Sequence, residues 1–108
     1  MDIVIRSIGL DLSKAQEAAI EEKIGRVEDH GARIVRARVF VRRNSAHASD
    51  RQFSIRVICE VRGADIIAEQ EGGDVLTAID LVSEKVERQL AKRKTDRLSR
   101  REETVKAD

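Results

Sequence analysis

Apolar and polar positions follow two rhythms along this chain, one of period two and one near three and a half. Asp2 to Arg6 alternates, with Ile3 and Ile5 on one side and Val4 and Arg6 on the other, which predicts a short strand. Ser13-Lys-Ala-Gln16 is a capping box, in which the Ser13 hydroxyl and the Gln16 amide satisfy the first free backbone donors of a helix. That helix is predicted to reach about His30, with Ala15, Ala19, Ile20, Ile24 and Val27 inward and Gly31 closing it. Gly25 inside it weakens it by up to about 1 kcal/mol relative to alanine.

Ile34 to Arg43 alternates again. Val35, Ala37, Val39 and Val41 share one face, and Arg36, Arg38 and Arg42 share the other. Asn44 to Asp50 is a polar loop. Gln52 to Val61 is the third strand, with Phe53, Ile55, Val57, Cys59 and Val61 inward. Arg62-Gly63-Ala64 predicts a hairpin whose Gly63 supplies the unusual backbone angle. Ile66 to Glu71 is the fourth strand, Gly72-Gly73 ends it, and Asp74 caps a second helix. Val75, Ala78, Ile79, Val82, Val86 and Leu90 then fall on one side of that helix. The helix is expected to fade near Lys94 to Arg97, and Thr95 to Asp108, without an apolar period, reads as helix extension followed by a disordered tail.

The order is β-α-β-β-β-α. Three consecutive strands with short links predict an antiparallel meander within a four-stranded sheet, and two helices cover its apolar face, an α+β fold. Residues 1–95 form one domain and residues 96–108 a charged, flexible extension. With only Phe40 and Phe53 as aromatics, the core must be aliphatic. A single cysteine, Cys59, excludes an internal disulfide and fits a reducing compartment. No apolar run approaches the roughly 20 residues of a membrane span, and the first residues lack the layout of a secretion signal. A cytoplasmic location is expected, with no membrane partner.

Charge changes the picture through its placement. The net charge is only +1, although 38% of residues are charged. Between Lys85 and Arg101, eight basic residues face two acids, Glu87 and Asp96. Such a helix can bury one flank and offer a ladder of cations to a polyanion. Lys85, Arg88, Lys92 and Arg93 are candidates for RNA phosphates, and Gln89 for sugar or phosphate oxygens. The competing account is a solvated flank, with Glu84 and Arg88 as an ordinary helical pair. Arg36 and Arg38, with Arg42 and Arg56 beside them, are candidates for a second basic strip, unless these charges only discourage sheet-to-sheet aggregation. Lys23 and Arg26 lie one turn apart on the first helix, where Glu22 and Glu28 make a salt-bridged surface equally natural. Cys59 reads as a buried, inert thiol. His30, His47 and Cys59 have no metal-ligand spacing. No phosphate-binding glycine loop or nucleophile-base arrangement appears, so neither a cofactor nor an enzymatic activity is expected.

The run Asp74-x-x-x-Ala78-Ile79-Asp80-Leu81-x-x-x-Lys85-Val86-Glu87-Arg88-Gln89-Leu90-x-Lys92-x-Lys94 resembles the signature helix of the ribosome hibernation promoting factor and ribosome-associated inhibitor A family. Met1-Asp-Ile-Val-Ile-Arg6 resembles its first strand, and Ser13-x-Ala15 with Ile20-Glu-Glu-Lys23-Ile24-x-Arg26-Val27-Glu28 its first helix. The resemblance spans residues 1 to about 95. It implies a fold similar to a double-stranded-RNA-binding domain. It also implies a translation inhibitor of stressed or stationary-phase bacteria that occupies the mRNA and tRNA channel of the small ribosomal subunit. Its partner would be ribosomal RNA, with no DNA contact. Leu76 stands where the family usually has an aromatic residue, Glu22 where it often has lysine, and Gly73 where a polar residue is common. Nothing after Arg97 resembles the dimerisation domain of long members. Homodimerisation is therefore not expected for residues 1–108 alone, whether the chain is a short member or the N-terminal domain of a long one. Two other readings remain open at this level: a protein-interaction module, and a general binder of RNA duplexes outside the ribosome. The ribosomal reading expects the positive groups to gather on one surface, and groups dispersed evenly with no coherent electropositive region would overturn it.

Overall fold

The computed structural model describes the backbone of residues 1–30, 33–44 and 49–107, and side chains within those ranges up to Arg93, His30 excepted. Its elements are β1 (Asp2–Ile8), α1 (Lys14–Gly25), a 3-10 turn (Arg26–His30), β2 (Ile34–Arg43), a 3-10 turn (Ser49–Arg51), β3 (Phe53–Val61), β4 (Ile66–Gly72) and α2 (Val75–Ala107). The sheet order is β1-β2-β3-β4. β2, β3 and β4 form the expected antiparallel meander, and β1 joins β2 in parallel. A parallel pair needs a crossover connection, and α1 with its 3-10 extension supplies it.

The Ser13 capping box is present in full: Ser13 N–H donates to Gln16 Oε1 at 2.9 Å, and Gln16 N–H donates to Ser13 Oγ at 3.1 Å. The α-helix stops at Gly25, earlier than its apolar period suggests, and tightens into the 3-10 turn that carries Val27 into the core. Of the inward positions expected on α1, Ile20, Ile24 and Val27 are buried, Ala19 is half-buried and Ala15 is exposed. Gly31 lies outside the described residues. Gly63 has φ +101° in the β3–β4 turn, as its position predicts.

The core is aliphatic. Ala37, Val39 and Val41 from β2, Ile55, Val57 and Cys59 from β3, and Ile66 and Ala68 from β4 meet Ile20 and Ile24 of α1 and Val75, Ala78, Ile79, Val82, Val86 and Leu90 of α2. On β2 one inward position fails. Val35 is 64% exposed while Ile34 is buried, because the β2–β3 register shifts between Ile34 and Arg36. A bulge there resets the alternation by one residue.

Asp74 caps α2: Thr77 N–H donates to its Oδ1 at 2.7 Å and the Thr77 hydroxyl to its Oδ2 at 3.1 Å. Just before it, Gly72 is buried where the first turn of α2 crosses the end of β4. The helix then continues to Ala107 rather than fading near Lys94 to Arg97. Both helices pack on the apolar face of the sheet, so the other face is left uncovered by the described elements.

Candidate nucleic-acid interface

Three of the expected RNA-contacting residues form a row against β4. Lys85 Nζ donates to the Glu69 carbonyl at 2.9 Å, Gln89 Nε2 to the Ile67 carbonyl at 3.0 Å, and Arg93 Nη2 to the Asp65 carbonyl at 3.2 Å. The spacing explains the match. Four helix residues rise about 6.0 Å, and two strand residues about 6.6–6.8 Å. β4 is an edge strand whose outward carbonyls lack a strand partner, and α2 supplies donors to them in register. These side chains therefore clamp the sheet edge, a role that helical spacing alone does not reveal. Lys85 and Gln89 remain exposed and keep further N–H donors. Replacing Lys85, Gln89 and Arg93 together with methionine should lower unfolding free energy by about 1–2 kcal/mol, measured by urea denaturation.

Other helical candidates are matched by carboxylates. Lys23 Nζ lies 3.0 Å from Asp80 Oδ1 and ties α1 to α2. Arg26 pairs with Glu22, and Arg88 Nη2 sits 3.8 Å from Glu84 Oε2. These exposed pairs contribute little stability, up to about 1 kcal/mol each. Lys92 is exposed and makes no ion pair among the described residues.

The uncovered sheet face is organised differently. Strand register sets its side chains in rows: Val4, Arg38, Ile58 and Ile67 in one, and Arg6, Phe40, Arg56 and Glu69 in the next. Phe40 thus has Arg6 and Arg56 as cross-strand neighbours. Two residues away along β2, on the same face, stand Arg38 and Arg42. Four guanidinium-bearing side chains surround one phenyl ring. A hollow of about 280 Å³ opens there, lined by Val4, Arg6, Arg36, Arg38 and Phe40.

Charge on this face is polarised. Arg6, Arg36, Arg38 and Arg42 lie on β1 and β2 with Arg56 beside them on β3, these five cations against Asp2 and Glu60 on those three strands, whereas Glu69 and Glu71 lie on β4. Among the described residues, Arg38 is the one arginine of this group in an ion pair, with Glu60 Oε1 at 3.7 Å from its Nε, while Asp2 and Glu60 stand cross-strand from Arg36 and Glu69 from Arg56 without closing to ion-pair distance. That separation is too long for a hydrogen bond, and Arg38 Nε is buried without a hydrogen-bond partner. Among the described residues, Arg6, Arg36, Arg42 and Arg56 form no ion pair. The positive groups therefore do not gather on one surface as the sequence suggests. They form an open-face cluster over β1 and β2 and a separate α2 flank beyond the acidic β4 strip. Of the residues singled out in the sequence, Arg36 and Arg38 belong to the first. Lys85, Arg88, Gln89, Lys92 and Arg93 belong to the second, while Lys23 and Arg26 sit in pairs on α1. Arg6 and Phe40 escaped notice. The alternation in β1 pointed Arg6 away from the core, but only the parallel β1–β2 register places it beside Phe40.

Cys59 is buried, and burial first, then the nearby Asp65 carboxylate, push its thiol up to about 11, so it stays protonated and unreactive at neutral pH. No metal-ligand cluster occurs among the described residues. No helix among them is long and apolar enough to cross a membrane.

The model of the family described as sigma 54 modulation protein / S30EA ribosomal protein matches residues 3–98. This chain belongs to that family. It is 32% identical over 108 residues to a ribosome hibernation promoting factor of Azotobacter vinelandii, covering 100% of this chain and 96% of that protein. It is 31% identical over 94 residues to a ribosome hibernation promotion factor of Deinococcus radiodurans, where the match spans 87% of this chain and 49% of the relative. A solved structure of a ribosomal subunit interface protein from Coxiella burnetii superposes with a TM-score of 0.75 at 26% identity, over 88% of this chain and 99% of that one. The N-terminal domain of Thermus thermophilus Protein Y has the same fold, with a TM-score of 0.71 at 19% identity, over 85% and 98%. Both solved structures share the fold found here, and the family likeness read from the sequence is correct.

Proposed function

We propose that this chain is a cytoplasmic hibernation factor that binds the small ribosomal subunit through ribosomal RNA and inhibits translation by occupying the mRNA and tRNA channel. Family membership supports the ribosomal association. The observation that carries the RNA contact is the group of four arginines, Arg6, Arg36, Arg42 and Arg56, on one sheet face without ion-pair partners among the described residues. Lys23, Arg26 and Arg88 are matched with carboxylates, and other cations without an ion pair among the described residues, such as Lys14, Arg51 and Lys92, stand apart from one another, so it is the clustering on one sheet face that singles out the four. Uncompensated like charges are better accommodated against a polyanion than alone in water. The action is occupancy rather than catalysis: a folded domain fills space that message and transfer RNA would use. Residues 1–95 carry this function, with Arg88 and Lys92 on the α2 flank as a second set of phosphate contacts.

Sucrose-gradient sedimentation with purified small subunits tests this. Co-sedimentation at low salt is expected. If the four arginines alone contribute, log affinity should fall against log salt with a slope of about −3. Plain RNA duplex should compete poorly. Absence of co-sedimentation at low salt, or competition by duplex equal to that of subunits, overturns the proposal.

A further inference from the structure

We propose that Phe40 is a stacking platform for an unpaired nucleobase, so that the open face of the sheet grips a single-stranded segment of RNA. This rests on the ribosomal reading above and specifies what the open face takes hold of there. The chain has two phenylalanines and neither tryptophan nor tyrosine. Phe53 packs against the core, whereas Phe40 stands half-buried on the uncovered face. An aromatic ring in that position does nothing for the core.

Its surroundings suit one kind of occupant. Arg6 and Arg56 flank the ring across the strands, and Arg38 and Arg42 flank it along β2. An unstacked nucleotide offers a flat base to the phenyl ring and a phosphate to the guanidinium groups. The hollow of about 280 Å³ beside the ring lies just below the roughly 300–1,000 Å³ of small-molecule sites, a size for one flat group. The Arg38 side chain is 42% exposed beside the ring, and its guanidinium can donate to a base carbonyl, ribose hydroxyl or phosphate oxygen. A regular duplex cannot use this arrangement, because its bases are already stacked and paired. An acidic peptide would satisfy the arginines but has no use for the ring.

The chain's lack of tryptophan makes the test direct. Phe40→Trp introduces a single fluorescent reporter, and stacking of a base on its indole should quench the emission. An oligoadenylate octamer and purified small subunits should both quench saturably, while a blunt RNA duplex should not. Phe40→Leu keeps an apolar side chain of similar size, and should weaken octamer binding about tenfold by fluorescence anisotropy with an unchanged thermal midpoint. Co-sedimentation of the Phe40→Trp variant with small subunits while its indole emission stays unchanged overturns the stacking inference and leaves the ribosomal reading standing. Quenching by the octamer without co-sedimentation supports stacking and overturns the ribosomal reading. Quenching by subunits but not by the octamer, or equal quenching by duplex, assigns the ring to a different surface and overturns the proposal.

Discussion

Exchanging Arg6, Arg36, Arg42 and Arg56 together for glutamine should reduce affinity for small ribosomal subunits about a hundredfold at physiological salt. Every phosphate left without its arginine also flattens the salt slope by about 0.7 unit, so the variant should bind weakly and with only the shallow salt dependence that Arg88 and Lys92 supply. The fold should not suffer. These side chains lie on the uncovered face and make no ion pair among the described residues, and the repulsion relieved among them offsets the attraction lost to Asp2, Glu60 and Glu69, so the thermal midpoint should change little. Glutamine keeps much of the aliphatic stem, which preserves packing around Phe40. Arg88→Gln is the informative companion. Arg88 sits beside Glu84 in an exposed pair, so its removal should cost less than about tenfold. Sedimentation and anisotropy titrations over a salt series measure both. Wild-type binding by the quadruple variant would exclude the open face as the interface.

The largest expected effect on stability comes from one hydrogen atom. A Cβ built on Gly72 would lie 3.0 Å from the backbone nitrogen of Ala78 and 3.2 Å from its Cα. The obstacle is the main chain of α2, which cannot swing aside as a side chain can. Gly72→Ala should therefore push the helix away from the end of β4 and destabilise the protein by about 1–3 kcal/mol, the usual range for overpacking. Gly25→Ala provides the contrast. Its Cβ would meet nothing within 4 Å, and Gly25 lies in the last turn of α1. That substitution should raise stability by up to about 1 kcal/mol. Urea denaturation of both variants should show shifts of opposite sign, and two shifts of the same sign would refute the packing argument at Gly72.

Much of the architecture was legible where side-chain period and local chemistry agree. The boundaries of β2, the Ser13 capping box, the Asp74 cap and the Gly63 turn all follow from short-range rules. What escaped depends on neighbours distant in sequence. Val35 and Ile34 exchange places because a bulge in pairing with β3 resets the alternation. The end of α1 at Gly25 depends on how Val27 reaches the core. The candidate site was harder to read for the same reason. A helical cation looks identical in sequence whether it faces solvent or a strand edge, so Lys85, Gln89 and Arg93 could not be separated from Arg88 and Lys92. Arg6 and Phe40 become neighbours only through the parallel pairing of β1 with β2.

The bonds from α2 to the Asp65, Ile67 and Glu69 carbonyls carry a consequence for the life of the molecule in solution. They occupy acceptors that an incoming strand from another molecule would need, so lateral growth of the sheet is obstructed on that side. A proteolytic cut ahead of Lys85 would strip that guard away and also uncover the part of the core that Val86 and Leu90 fill. Fragments so trimmed would be recruited into one another, and α2 thereby acts as the protein's own safeguard against precipitation.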